Sequence, residues 1–194
     1  MQFGLRSLEG ACAPGATEFR SKCRELAKLV ESMGSSVDMI ASDLRPATLD
    51  HFGLVLAVQS YLKELADHGF PLRTVFQAIG LKRRLPPAIE LTCYRIVQEA
   101  LNNIAKHASA RTAEIRLTMS HPMLILAIID DGVGFHDSVT GRADGHSVGG
   151  LGLLGMKERT AAVGGSLEIR SRKEGGSLIR IEIPVPEETS IGQD

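Results

Sequence analysis

Several residue types are scarce in this chain, and each shortage excludes something. There is no Trp, and only two Tyr and six Phe. With 43% hydrophobic residues, the core must be built mainly from Ile, Leu, Val and Ala. The three cysteines (Cys12, Cys23, Cys93) are odd in number and scattered, with no CxxC. That argues against a disulfide framework and a zinc site and fits a reducing cytosol. Charge of one sign is lacking too: the formal net charge is −1, which gives no electrostatic reason for nucleic-acid or membrane binding. No apolar run approaches the ~20 residues of a membrane span. The opening MQFGLRSLEG lacks the charged-then-apolar layout of a signal peptide, so a soluble chain is expected. The 194 residues allow one ordinary domain, or a domain with a helical appendage.

What is present divides near residues 45–70. Gly-Ala-Cys-Ala-Pro-Gly-Ala-Thr (10–17) breaks any helix begun by LRSLEG. From Thr17 to Leu44, Phe19, Cys23, Leu26, Leu29, Val30, Met33, Val37, Ile40 and Leu44 recur every three or four residues. This is an amphipathic helix of about four heptads, ended by Arg45-Pro46. It packs either on its own domain or in an intermolecular bundle; a stripe of ~28 residues exceeds what a small α/β domain can cover. Residues 52–67 give a second, shorter helix, stopped by Gly69 and Pro71.

The second half alternates between strand and helix. Residues 71–78 suit a strand, and 86–109 one long helix with prolines near its start, where missing N–H groups cost little. Residues 112–119 alternate, with Ala113, Ile115, Leu117 and Met119 on one side. After a turn at His121-Pro122, MLILAII (123–129) reads as a buried central strand. A loop rich in Gly, Asp, His and Ser fills 131–150, followed by a helix at 153–163 and strands at 166–171 and 177–183. Pro184 and Pro186 end the last strand, and the polar tail beyond is expected to be loose. The total is about five strands and three helices in an α/β sandwich, with helices on one face of a mixed sheet.

Three pieces carry chemistry. On the helix EALNNIAKHA (99–108), Glu99, Asn103 and Lys106 fall within about 60° of one another. Cys93, Val97, Ala100, Leu101, Ile104 and Ala108 form the opposite, core stripe. Glu99 and Asn103, one turn apart, can offer oxygens to a hard cation such as Mg²⁺, and Lys106 and His107 can meet phosphate charge. A solvated helix face is the plain alternative. In IIDDGVGF (128–135) an apolar strand runs into two aspartates and two glycines, so a carboxylate lies at the edge of the core, where a donor must offset its burial. Such a carboxylate accepts from an exocyclic amine like adenine's, and the glycines let backbone approach a flat ring. A hairpin turn explains Asp131-Gly132 but not the second glycine. In GGLGLLGM (149–156), residues Gly150 to Gly155 match GxGxxG, yet no hydrophobic strand precedes them as a dinucleotide site requires. They read better as glycines opening a helix whose free N–H groups face phosphate.

These motifs, in this order, resemble the ATP-binding domain of sensor histidine kinases, within the wider group that includes gyrase, MutL and the heat-shock chaperone ATPases. RIVQEALNNIAKHA (95–108), IIDDGVGF, GGLGLLGMKER (149–159) and DLRPATLDHFGL (43–54) are similar to motifs of the nitrate-sensor and DesK-like subfamily. The resemblance covers about residues 20–185. It implies an α+β, Bergerat-type two-layer fold preceded by a long dimerisation helix. The division would be a dimerisation region at 1–48, a linker helix at 49–70, an ATP-binding domain at 71–186 and a tail at 187–194. ATP and Mg²⁺ are the implied cofactors, with Glu99 and Asn103 near Mg²⁺ and Lys106 and His107 near the phosphates. Asp130 would read adenine N6, Gly132 and Gly134 would shape the pocket, and Gly150, Gly152 and Leu153 would anchor a lid at 136–149. The implied partners are a response regulator and a second copy through the N-terminal helix. The implied location is the cytoplasm, whether free or as the inner part of a membrane-bound sensor. The reading requires the Asp130 carboxyl and the Asn103 amide to face one cleft.

One departure stands out. The subfamily's phosphoacceptor histidine sits on the first dimerisation helix, before an Asp and after basic residues. None of His51, His68, His107, His121, His136 or His146 has that setting, and Met1–Gly10 resembles the stretch just after the acceptor. The chain is therefore expected to bind ATP but not to phosphorylate itself. Two other functions compete: an anti-sigma-type serine kinase, against which the helix at 18–44 counts, and an ATP-sensing or dimerisation module without transfer.

Overall fold

The computed structural model describes residues 46–134 and 151–186. The N-terminal amphipathic stretch, the lid with Gly150 and the tail from residue 187 lie outside the described residues. The described residues all belong to one compact unit.

The first element, α1 (Ala47–Asp67), is two helices in one. Gly53 has φ 81° and ψ 177°, so the turn up to Phe52 meets the rest of the helix at a kink. Only glycine adopts that φ without strain, and a Cβ there would come within 2.9 Å of Arg84 Nε. Arg84 occupies the space and donates to the carbonyls of Leu49 and Asp50 at 2.9 and 3.1 Å, capping the short turn. Leu49, Leu54, Ala57, Val58 and Leu62 are buried, so the stretch read as a linker helix packs into the same core as the sheet. The helix closes with Gly69, φ 74°, donating to the Ala66 carbonyl, and Pro71 follows.

The sheet has five strands: β1 (Arg73–Ile79), β2 (Thr112–Ser120), β3 (Met123–Asp130), β4 (Ser166–Ser171) and β5 (Ser177–Pro184). Their order is β1-β2-β3-β5-β4, with β1 parallel to β2 and all other pairs antiparallel. Such a mixed sheet follows from the connections. Tight turns make the β2–β3 and β4–β5 hairpins, while β1 reaches β2 only through a helical crossover. That crossover is α2 (Pro87–Asn103), and α3 (Leu151–Ala162) leads into β4. Ala113, Ile115 and Leu117 of β2, Leu124, Leu126 and Ile128 of β3, and Ile179, Ile181 and Ile183 of β5 bury one sheet face in the same core as α1 and α2. The two-layer sandwich expected from the sequence is what forms.

Two elements differ from expectation. Residues 86–109 are not one regular helix. The α-helix stops at Asn103 and a π-turn spans Ile104–Ala108, capped by Ser109 in left-handed geometry with φ 50°. A wheel drawn at 100° per residue therefore ceases to apply beyond Asn103. Strand β3, apolar on both sides, is buried on one side only: Ile125, Ala127 and Ile129 are half-buried on the outer face. Glu114 lies opposite Ile129, Glu182 opposite Ile125, and Arg116 and Arg180 flank Ala127. Long charged side chains shield an apolar row with their stems while their heads stay wet.

Candidate nucleotide site

The site begins where β3 runs out. Asp130 is the last residue of the strand and is buried at 2% exposure, the only carboxylate besides Glu90 so deep among the described residues. Burial of a charge demands donors, and two are present. The Gly132 N–H donates to Oδ1 at 2.8 Å, and the Ser177 hydroxyl makes a very short bond to Oδ2. Each oxygen keeps a further lone pair for a ligand.

Ser177 escaped the sequence reading, because nothing in the chain announces that β5 lies beside β3. Once Leu178 is paired with Ile129, the residue before it faces the end of β3. Gly176, before Ser177, has φ 79°, and a Cβ there would strike the backbone oxygen of Asp130. The two chains can approach this closely only without a side chain.

The glycine turn after Asp130 is pressed against the end of the π-turn. A Cβ on Gly132 would collide with the Ala108 carbonyl oxygen, and the Val133 N–H donates to that same oxygen at 2.8 Å. Gly134, φ 78°, leaves the turn 3.0 Å (measured from the Cβ it lacks) from the Gly176 carbonyl oxygen. Asp131 points outward, and its Oδ1 accepts the N–H groups of Arg111 and Thr112. These backbone donors hold its carboxyl below the ordinary carboxylate range.

A turn earlier on α2 lie Glu99 and Asn103, both half-buried, with Asn103 Nδ2 donating to Glu99 Oε1 at 3.2 Å. Asn103 Oδ1 and Glu99 Oε2 remain as oxygen donors. Gly152, in the first turn of α3, passes directly over this pair: a Cβ would strike Glu99 Oε1 and lie 3.5 Å from Asn103 Nδ2. Leu153 packs, half-buried, on the core. Lys106 and His107 are exposed on the π-turn between the two groups. Gly132 thus abuts Ala108 at the end of the π-turn and bonds Asp130, Gly134 lies against Gly176, and Gly152 meets Glu99 and Asn103 at the end of α2. Gly150 lies outside the described residues.

The described residues contain no group of three or more His, Cys, Asp or Glu able to hold a metal alone. An acid and an amide oxygen fit instead a cation that takes its other ligands from phosphate and water, as Mg²⁺ does.

A buried acid at a strand end with glycine turns around it, and an Asn- and Glu-bearing helix packed on the same mixed sheet, suit a nucleotide-binding ATPase domain. The model of the histidine kinase-, DNA gyrase B- and HSP90-like ATPase family matches residues 88–187, and this chain belongs to that family. The signal transduction histidine-protein kinase/phosphatase DegS of Brevibacillus brevis is 34% identical over 174 residues, 90% of this chain and 43% of that protein. The oxygen sensor histidine kinase NreB of Staphylococcus carnosus is 30% identical over 168 residues, 87% of this chain and 47% of that protein. The chain therefore spans somewhat under half the length of these curated relatives. In fold it is similar to the histidine kinase AdeS of Acinetobacter baumannii, with a TM-score of 0.53, 19% identity, and 96% and 94% of the two chains covered. No helix among the described residues is long and apolar enough to cross a membrane.

Proposed function

We propose that this chain is the ATP-binding catalytic part of a two-component sensor histidine kinase, passing the γ-phosphoryl group to a histidine outside these 194 residues. The observation that carries the reading is the buried Asp130 carboxylate, held by one amide and one hydroxyl with lone pairs to spare. In this reading Asp130 accepts a hydrogen bond from the adenine 6-amino group, and the backbone at Gly132 and Gly134 lets the ring approach. Glu99 and Asn103 would hold Mg²⁺, and Lys106 and His107 on the π-turn would neutralise phosphate charge. Gly150, Gly152 and Leu153 would anchor the lid. The cation, when bound, would supply charge neutralisation at the phosphates. Phosphoryl transfer asks little covalent chemistry of the protein, so positioning and charge are what these side chains contribute.

The relatives' names, both of histidine kinases, support a signalling role. In this reading a response regulator is the final acceptor. A homodimer through residues 1–48, a linker at 49–70, ATP binding at 71–186 and a cytoplasmic location complete the proposal.

Titrating ATP–Mg²⁺ into wild type and Asp130→Asn tests the nucleotide reading: the variant should lose about tenfold or more in affinity. Equal binding by both would remove adenine from that carboxylate. Radiolabelled ATP tests the transfer. Acid-labile label should appear on an added dimerisation domain that carries the acceptor histidine, and none on this chain alone.

A further inference from the structure

Asp131 stands beside the acid that the nucleotide reading uses, yet its side chain faces the other way. One oxygen, Oδ1, accepts two backbone bonds, from Arg111 N–H at 2.8 Å and from Thr112 N–H at 2.9 Å. Charge-assisted bonds of this kind are among the stronger ones in a protein. They join the start of β2 to the residue that opens the glycine turn.

Other contacts close the same joint. Val133 N–H donates to the Ala108 carbonyl, Gly132 leaves no room for a side chain against Ala108, and Ala113 is the ladder partner of Asp130. Between Ala108, which ends the π-turn, and Thr112, which begins β2, lie only Ser109, Ala110 and Arg111. Ser109 is in left-handed geometry, so the link turns at once from the π-turn toward β2. Both its ends are bonded to the glycine turn, Ala108 through the Val133 N–H and Thr112 through Asp131, and this ties the π-turn immediately before it to that turn. That turn carries Lys106 and His107.

We infer that Asp131 is a positioning residue for the phosphate end of the nucleotide: by clamping the start of β2 to the glycine turn, it holds Lys106 and His107 at a fixed offset from Asp130. The inference rests on the nucleotide reading proposed above. Asp131 acts through the backbone it holds and not through the ligand. An acid that merely stabilised the fold would treat every ligand of the site alike. A clamp on the phosphate wall affects only ligands that carry phosphates.

The test compares ATP with adenosine, both with Mg²⁺, by calorimetric titration of wild type, Asp131→Ala and Asp131→Asn. The alanine variant should bind ATP about tenfold more weakly while its adenosine affinity stays within about twofold. The asparagine variant keeps an oxygen where the two N–H groups point and should restore ATP binding. Overturning results are an alanine variant that binds ATP as wild type does, one that loses ATP and adenosine equally, or an asparagine variant as weak as alanine. Should the alanine variant not fold, Asp131→Glu displaces the oxygens by one methylene and must show the same ATP-selective loss; wild-type ATP binding or an equal loss of both ligands overturns the inference. Failure of wild type itself to bind ATP would sink the nucleotide reading, a result distinct from all of these.

Discussion

Arg84 grips the buried carboxylate of Glu90 with two nitrogens, Nε to Oε1 at 2.9 Å and Nη2 to Oε2 at 2.8 Å. The partners are unequal: the Glu90 side chain is 2% exposed and the Arg84 side chain 50%. Since Arg84 also caps the first turn of α1, one guanidinium ties that turn to α2. Arg84→Ala would leave Glu90 buried without this partner and the Leu49 and Asp50 carbonyls without this cap. Removing one member of a fully buried pair costs 3–5 kcal/mol; with Arg84 half in water, about 2–3 kcal/mol is expected in denaturant unfolding. Arg84→Lys should recover little, because an ammonium cannot make the fork. A loss below about 0.5 kcal/mol for the alanine variant would show the pair to be idle.

Ser177→Ala removes one of the two donors that keep Asp130 satisfied. A buried acceptor left short costs ~1–3 kcal/mol, so the variant should be less stable by that amount. Where ATP binding is measured, its affinity should fall as well, since the carboxylate is freed to turn. Ser177→Thr keeps the hydroxyl and should stay near wild type in both. An alanine variant unchanged in stability and ATP affinity would mean that Ser177 does not hold the acid.

Gly152→Ala separates stability from binding. Inside a helix the exchange usually stabilises by roughly 1 kcal/mol. The new methyl group meets Glu99 Oε1, the far end of a side chain that can turn aside, so stability should not fall, while the Glu99–Asn103 pair is displaced. The variant should therefore unfold no more easily than wild type and bind ATP–Mg²⁺ more weakly. Binding equal to wild type would mean that Glu99 and Asn103 do not hold the cation.

Cys93 is fully buried, and that burial, with Glu90 nearby, pushes its thiol up to about 12. The unfolded thiol titrates near 8.5. Between those values the native chain keeps a proton that the unfolded chain releases, so this residue's contribution to stability falls as pH rises from about 8.5. The side chain should resist thiol reagents at pH 8 until denaturant unfolds the domain. Thiol counting with and without denaturant checks this for the described cysteine, and prompt labelling of Cys93 in the native protein would contradict it.

Much of the site was legible in the sequence because periodicity and spacing are local. The core stripe from Cys93 to Ala108, the alternation of β2 and the acid at the end of an apolar strand all lie where those patterns put them. What escaped depends on pairings between distant stretches. That Ser177 faces Asp130 follows from β5 lying between β3 and β4, which no window of residues reveals. The π-turn has no local signal, since IAKHA holds no breaker; what sets it apart is that its end, Ala108, abuts Gly132 from a distant stretch. Gly53 sits in a helical pattern with no local sign of a break; its φ of 81° and the Arg84 side chain seated over it make the kink. The outer row of β3 reads as buried in sequence because apolarity reports preference for cover, not the kind of cover. There it is met by charged neighbours.

That outer face carries its charges in matched couples along single strands: Glu114 with Arg116 on β2, Glu168 with Arg170 on β4, and Arg180 with Glu182 on β5. Opposite signs a few ångströms apart cancel within a Debye length, about 8 Å at physiological salt. Among the described residues these couples leave that face with little net charge for salt to screen. Lys106 and Arg111 stand exposed on and just beyond the π-turn, so an anion approaching there meets positive charge with no carboxylate couple beside it on the same turn.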